Sequence, residues 1–362
     1  MKSNSKARNR TLAGVLGLMF LLWLGVGGAW VWWRHQTAPA SPATAVPPDA
    51  QELYIPEGTS ANQIGVILSE AGLIRSSLAW RLWNRWQGLR GAPGGFQAGT
   101  YRISPQEPLP VIAQQIWTGD VVETGFTIPE GWTIQQMADY FEAQDFFSAE
   151  EFLSATQQVA RSQFPWLPAD VPILEGFLFP DTYQVPVDQL SPLSVVEIML
   201  ERFEQVALPS YENATAPPQL SLLEWVTLSS IVEKEAVIPQ ERGLIAGVFW
   251  NRLRLGMTLG ADPTVEYGLG IEQTPDQPLT LAQVNMPSPY NTYLNPGLPP
   301  TPIAAPGLAS LEAVLNPEDT EYLYFVARYD GSHVFSRTLA EHERAQGRIR
   351  DQQDARSDGA RS

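Results

Sequence analysis

From Thr11 to Trp33 the chain carries no Asp, Glu, Lys or Arg. An uncharged run of that length can cross the roughly 30 Å of a bilayer's hydrocarbon only as a helix, which satisfies its own backbone hydrogen bonds. Residues 11–33 are therefore read as a transmembrane helix. Lys2, Lys6, Arg8 and Arg10 precede it, Arg34 follows, and the next basic residue is Arg75. This asymmetry makes residues 1–10 a cytoplasmic tail and puts everything after Arg34 outside. Trp30, Trp32 and Trp33 fall at the outer interface, where indole rings are favoured. Ala43-Thr44-Ala45 offers a cleavage site of the A-x-A kind. The apolar run is longer than that of a signal peptide, which favours an uncleaved anchor.

The anchor leads into residues 34–50, a Pro/Ala-rich linker with Pro39, Pro42, Pro47 and Pro48. A weak repeat follows. Tyr54-Ile-Pro-Glu-Gly-Thr59 returns as Thr127-Ile-Pro-Glu-Gly-Trp-Thr133, and Ala98-Gly-Thr-Tyr-Arg102 is echoed by Pro180-Asp-Thr-Tyr-Gln184. Ile64, Ile67 and Leu68 in one copy, and Ile134, Met137 and Phe141 in the other, predict a helix after each turn. Residues 51–186 thus read as two small α+β lobes of the pattern strand, turn, helix, loop, strand. Such lobes serve as binding modules or simply orient a catalytic part. Trp80, Trp83 and Trp86 step by three on a predicted helix. They could stack on sugar rings, although that spacing more often marks core.

Beyond the lobes, residues 187–345 read as a mixed α+β catalytic domain. Helices are expected over Leu193–Ala207, Ser221–Val237 and Gln240–Leu255, with Gly256 ending the last. Residues 257–307, rich in Pro, Gly, Asn and Tyr, read as one long irregular stretch, the kind of segment that carries function. Glu321–Val326 and Ser332–Ser336 read as a hairpin across Asp330-Gly331. Residues 346–362 are polar and read as a frayed tail.

The formal net charge is −16. It argues against nucleic acid, which calls for a basic patch. With no cysteine and only His35, His333 and His342, thiol chemistry is absent and no metal site or cofactor is expected. The chain has no G-x-S-x-G elbow, phosphate loop or H-E-x-x-H. Carboxylate chemistry remains, and glycoside cleavage is the main reaction done with carboxylates alone.

One acid looks placed for it. Ser221 and Glu224 have the spacing of a capping box, and Pro239 should stop the helix they open. Trp225, Leu228 and Val232 mark a buried face, and Glu235 is the next step along it. Its helical neighbours, Ile231, Val232, Ile238 and Pro239, include no base. Glu233 lies about 200° round the helix, beside Ser229 and Ser230, on what reads as the polar side. Desolvation should raise the pKa of Glu235, and an acid protonated near neutral pH can protonate a leaving group. The plainer alternative is that Glu233-Lys234-Glu235 is a solvated helix face.

Longer motifs carry a resemblance. Glu175-Gly-Phe-Leu-Phe-Pro-Asp-Thr-Tyr183, Ser230-Ile-Val-Glu-Lys-Glu-Ala236 and Glu241-Arg242 are among them. So are Phe249-Trp-Asn-Arg-Leu253, Gly256-Met257, Asp262-Pro-Thr264, Tyr267-Gly268 and Ser288-Pro-Tyr-Asn-Thr-Tyr293. Gly297-Leu-Pro-Pro300, Pro302-Ile303 and Tyr322-Leu-Tyr-Phe-Val326 complete the series. In this order they resemble the MltG-type (YceG-like) endolytic murein transglycosylases. The resemblance implies LysM-like lobes over 51–186 and a catalytic Glu235. It implies a lytic cleavage of the bond between N-acetylmuramic acid and N-acetylglucosamine in nascent strands, giving 1,6-anhydro ends and terminating strand elongation. It also implies a periplasmic or extracytoplasmic site on the cell (inner) membrane, peptidoglycan strands as substrate, and peptidoglycan synthases as partners. Asn251, Asp262, Thr264, Tyr290, Asn291 and Tyr293 are the candidate sugar-binding residues; a loop-stabilising hydrogen bond is the competing role for each. Two alternatives stay open. A muramidase hydrolysing the same bond would need a second carboxylate, for which Glu241, Asp262 and Glu266 are candidates. A membrane-tethered peptidoglycan-binding scaffold would need no catalytic acid.

Overall fold

A computed structural model of the chain describes residues 4–41, 50–90, 95–169, 171–214, 220–274, 277–328 and 330–359. The protein is a mixed α+β chain in two compact units, residues 1–124 with 184–189, and residues 125–183 with 190–362.

The first unit opens with α1 (Asn4–Thr37), a single helix that contains the whole uncharged run. Side chains of residues 4–15, 17 and 18 lie outside those described. Among the described residues no helix is long and apolar enough to cross a membrane. Much of what is described of α1 is exposed and apolar, including Leu16, Met19–Leu24, Val26 and Trp30–Trp32. Residues 42–49 of the expected linker also lie outside the description.

Then come β1 (Gln51–Ile55), α2 (Ala61–Glu70), α3 (Ser77–Leu89), β2 (Gly99–Ile103) and α4 (Leu109–Thr118). β1 and β2 pair antiparallel, Gln51 opposite Ile103 and Ile55 opposite Gly99. Ile55, Ile64, Leu68, Trp80, Tyr101, Ile112 and Ile116 make the core, and Trp33 from the end of α1 packs against it. Trp80 lies so close to Gly65 that a Cβ there would sit 2.3 Å from its ring. Only glycine allows this approach of α3 to α2. The tryptophan series therefore divides. Trp80 and Trp83 are core, while Trp86 is 46% exposed with the Arg90 guanidinium 3.8 Å from its ring centre.

β3 (Glu123–Thr127) and β4 (Thr182–Pro186) form a second two-stranded sheet and enclose α5 (Ile134–Ala143) and α6 (Ala149–Gln158). The repeat is thus a βααβ unit used twice. Its likeness extends to detail. Gly58 and Gly131 both turn with φ of 77°. Ser60 with Gln63, and Thr133 with Gln136, form capping boxes at equivalent places. The Tyr101 hydroxyl donates to the Gln97 carbonyl at 2.8 Å, and that of Tyr183 to Phe179 at 2.5 Å.

The second unit continues with α7 (Pro192–Val206), α8 (Leu208–Glu212), α9 (Leu222–Glu235) and α10 (Arg242–Arg254). After them come α11 (Asp262–Leu269), α12 (Leu281–Val284) and α13 (Leu308–Leu315). A hairpin of β5 (Tyr324–Ala327) and β6 (His333–Ser336), and then α14 (Leu339–Gly359), close the unit. Two segments differ from the sequence reading. The stretch 257–307 is not wholly irregular, because Pro263 in the first turn and Gly270 in the left-handed C-cap delimit α11. Residues 346–359 are polar but helical, in keeping with their Ala, Arg and Gln content.

α9 is the central helix. The expected capping box between Ser221 and Glu224 opens it. It ends at Glu235, where Ala236 turns to extended backbone, four residues before Pro239. It is buried on every side, not on one face: Trp225 to Val232 are all covered. Ser229 and Ser230 are covered because each hydroxyl bonds back into the helix, to Trp225 O at 2.8 Å and Thr227 O at 2.7 Å. The serine side is therefore interior, and the polar face expected beside Glu233 does not exist.

Candidate active site

Glu235 is the last residue of α9 and is half-buried, its backbone on the covered helix and its carboxyl among protein groups. Burial pushes its carboxyl up to about 8; the charge of Asp262 adds to this, Arg252 opposes it, and Glu266 adds again. The carboxyl also sits at the C-terminal end of a helix, where carbonyl dipoles disfavour negative charge. α11 packs against α9. Asp262 and Glu266, four residues apart, lie on one face of α11. Glu266 is itself raised by burial, and its Oε1 is buried with no hydrogen-bond partner.

Arg252 comes from α10. Its Nε donates to the Leu323 carbonyl at 2.6 Å, its Nη1 to Leu259 O, and its guanidinium lies 5.2 Å from the Tyr324 ring centre. Three backbone and ring contacts thus hold a half-buried cation near Glu235. Tyr293 completes the group, its hydroxyl donating to Asp262 Oδ1 at 2.6 Å. Burial and the Asp262 charge keep this phenol protonated.

Of the six candidate sugar-binding residues, Asp262 and Tyr293 stand in this group. The other four have their polar atoms turned into the protein. Asn251 donates to Thr320 O and Tyr322 O at 2.8 and 3.0 Å, tying α10 to the entry of β5. Thr264 is fully buried and shares a 2.8 Å hydroxyl bond with Thr292. The Asn291 amide donates to Val284 O and Met286 O, and the Tyr290 hydroxyl meets Thr301 Oγ1 at 2.8 Å. These bonds shape the loop that presents Tyr293.

The three candidate second carboxylates separate. Asp262 and Glu266 act on Glu235. Glu241 does not; it binds the His333 ring at 2.7 Å and its backbone N–H at 3.1 Å. Glu233 is equally committed elsewhere. Its side chain is 9% exposed, lies 3.6 Å from Arg242, and accepts the Gly307 N–H at the start of α13 at 3.1 Å. The two glutamates of Glu-Lys-Glu thus differ in surroundings, and Glu233 lies in the interior rather than on a polar face.

Glu266 was among the candidate second carboxylates, whereas Arg252 was not singled out for Glu235's surroundings, since it approaches from another helix. Arg252 did stand in the Phe249–Leu253 motif. Glu175 was also legible only as part of a motif. It is buried, accepts the Ile134 N–H at 3.0 Å and the Tyr267 hydroxyl at 3.1 Å, and is pushed up to about 7 by burial. It links the first turn of α5 to α11. Among the described residues no group of three His, Cys, Asp or Glu could hold a metal ion.

The arrangement is a protonated carboxylic acid flanked by two further acids and one pinned cation. It can deliver a proton to a leaving oxygen while the neighbouring acids face developing positive charge.

Comparison with known proteins points the same way. The YceG-like family model matches residues 53–348. An endolytic murein transglycosylase of Bacillus subtilis is 31% identical over 88% of this chain and 89% of its own length. An endolytic murein transglycosylase of Streptococcus pneumoniae is 27% identical over 90% of this chain, which spans 63% of that longer relative. The crystal structure of a yceG-like protein from Listeria monocytogenes superposes with a TM-score of 0.56 at 31% identity, covering 82% of this chain and 99% of that one.

Proposed function

The chain belongs to the YceG-like family, and from that premise we infer that it is an endolytic murein transglycosylase, a lyase acting on peptidoglycan strands. The observation that carries the chemical reading is the place of Glu235 at the end of the central helix, where burial and the Asp262 charge push its carboxyl up to about 8.

The proposed reaction needs one proton shuttle. Glu235 gives its proton to the oxygen between N-acetylmuramic acid and N-acetylglucosamine, and the bond from that oxygen to muramoyl C1 breaks. Positive charge grows at C1, where the negative potential of Asp262 and Glu266 is favourable. The muramoyl C6 hydroxyl attacks C1, and its proton returns to the Glu235 carboxylate. The enzyme ends as it began, no water is consumed, and the new end is a 1,6-anhydro sugar. Such cuts within nascent strands would terminate their elongation. The uncharged run Thr11–Trp33 in the sequence, with four basic residues ahead of it, supports a single-pass anchor with the catalytic unit extracytoplasmic, within reach of peptidoglycan synthases. The two βααβ repeats support LysM-like lobes that hold the glycan.

Asp262 and Glu266 favour one second reading, hydrolysis, because either could activate a water. The scaffold reading has no such support, since a scaffold gains nothing from an acid held protonated. Glu235→Gln keeps the shape but cannot shuttle a proton. Cleavage of purified glycan strands should fall by about 10²–10⁴-fold. Full activity in Glu235→Gln would remove the catalytic assignment. Glu233→Gln should instead lower the unfolding midpoint, because it weakens the Arg242 pair, while leaving the product unchanged.

A further inference from the structure

Residues 71–106 contain Arg75, Arg81, Arg85, Arg90 and Arg102 and no acid, in a chain of net charge −16. Arg102 is paired with Glu52 at 2.9 Å. The rest belong to α3 or its ends. The inner face of this helix, Ala79, Trp80 and Trp83, is in the core. The outer face is not the polar surface that a solvated helix presents. Leu78, Leu82, Trp86 and Leu89 are 48, 43, 46 and 80% exposed. At about 100° per residue they fall within an arc of about 80°. Exposed Arg81 and Arg85 border the arc on one side, and Arg90 ends it. No carboxylate among the described residues pairs with Arg81 or Arg85.

Apolar side chains in a stripe, a tryptophan, and a margin of unpaired arginine are the composition of a helix lying in a membrane interface. Its location within the first unit fits. Arg75, just ahead of α3, donates to Pro39 O at 2.7 Å and meets the His35 ring at 3.4 Å. α3 therefore begins beside the outer end of α1 and, at 1.5 Å per residue, spans about 20 Å from there.

We propose that the outer face of α3 rests on the outer surface of the membrane that α1 crosses, with Leu78, Leu82, Trp86 and Leu89 among the headgroups and Arg81, Arg85 and Arg90 on anionic lipid phosphates. This rests on the anchor reading of α1. The attachment fixes the first unit against the bilayer as a Pro/Ala-rich linker alone could not.

The absence of native cysteine permits a direct test on the full chain in proteoliposomes. Single cysteines at Leu82, at Met19 in α1 and at exposed Glu150 in the second unit carry an environment-sensitive fluorophore. Quenching is read with lipids spin-labelled near the headgroup and near the bilayer centre. The Met19 label should be quenched from the centre, the Leu82 label from the headgroup region several-fold more than the Glu150 label. Replacing phosphatidylcholine by one-third phosphatidylglycerol should deepen the Leu82 signal, and Arg81→Glu with Arg85→Glu should reverse that gain. A lipid-quenched Met19 label with a Leu82 label no different from Glu150 overturns the proposal and leaves the anchor standing. A Met19 label untouched by lipid removes the anchor and the proposal together. A Leu82 label that responds to added glycan strands and not to lipid assigns the face to the substrate and also overturns it.

Discussion

Glu235 acts through the charges around it, and these give opposite, testable shifts. In the proposed mechanism cleavage requires its proton, so activity should decline as pH rises through about 8. Asp262 raises this carboxyl and Arg252 lowers it. Asp262→Asn should move the alkaline limb of the pH–rate profile to lower pH, and Arg252→Gln should move it to higher pH. Shifts in one direction from both variants would mean that their charges do not act on the catalytic group. The raised carboxyl of Glu235 was legible in sequence because the apolar residues that lead up to it, Trp225, Leu228 and Val232, are local to its own helix, although that helix is buried on every side and not on one face. Arg252 was not legible, because it reaches the site from α10 while hydrogen-bonded to the backbone at 259 and 323. Glu233 misled for the same reason. Ser229 and Ser230 look polar in one dimension but bond inward, and the partners of Glu233, Arg242 and Gly307, lie on other elements.

The elements show the same division between local and distant information. Capping boxes, the Gly256 turn and the repeated Pro-Glu-Gly turns lie within a few residues, and the helices they delimit are legible. α11 was hidden in a Pro- and Gly-rich stretch because its eight residues are too few for a periodic signal. The close approaches are also invisible in sequence. Gly247 in α10 has the Glu318 carbonyl 2.4 Å from where a Cβ would be. Gly247→Ala must push that segment away, and the same segment leads to Leu323, whose carbonyl holds Arg252. The substitution should cost about 1–3 kcal/mol, as overpacking does, read from urea unfolding. It should also move the alkaline limb toward higher pH as Arg252 loosens. Unchanged stability would mean that residues 318–323 are not held against α10.

Across the whole chain, the uncharged run and the two lysines and two arginines before it predict an anchored chain with its N-terminus inside. A reporter fused after residue 350 should be active only in the extracytoplasmic compartment, and cytoplasmic activity would contradict the anchor. The repeat was legible from two short motifs, because equivalent turns need a glycine and a similar cap. The sequence pattern had one helix per lobe, however, and the structure has two, α2 and α3 in the first and α5 and α6 in the second. The chemistry of the product was not legible, since Asp262 and Glu266 stand near Glu235 and the sequence cannot say whether they serve a water or only a developing charge. Mass spectrometry of glycan strands digested by the full chain decides this most directly. The account predicts that every new muramoyl end is the 1,6-anhydro form, lost together with cleavage in Glu235→Gln. Reducing muramic acid ends, carrying oxygen from labelled water, would contradict it and make the enzyme a hydrolase.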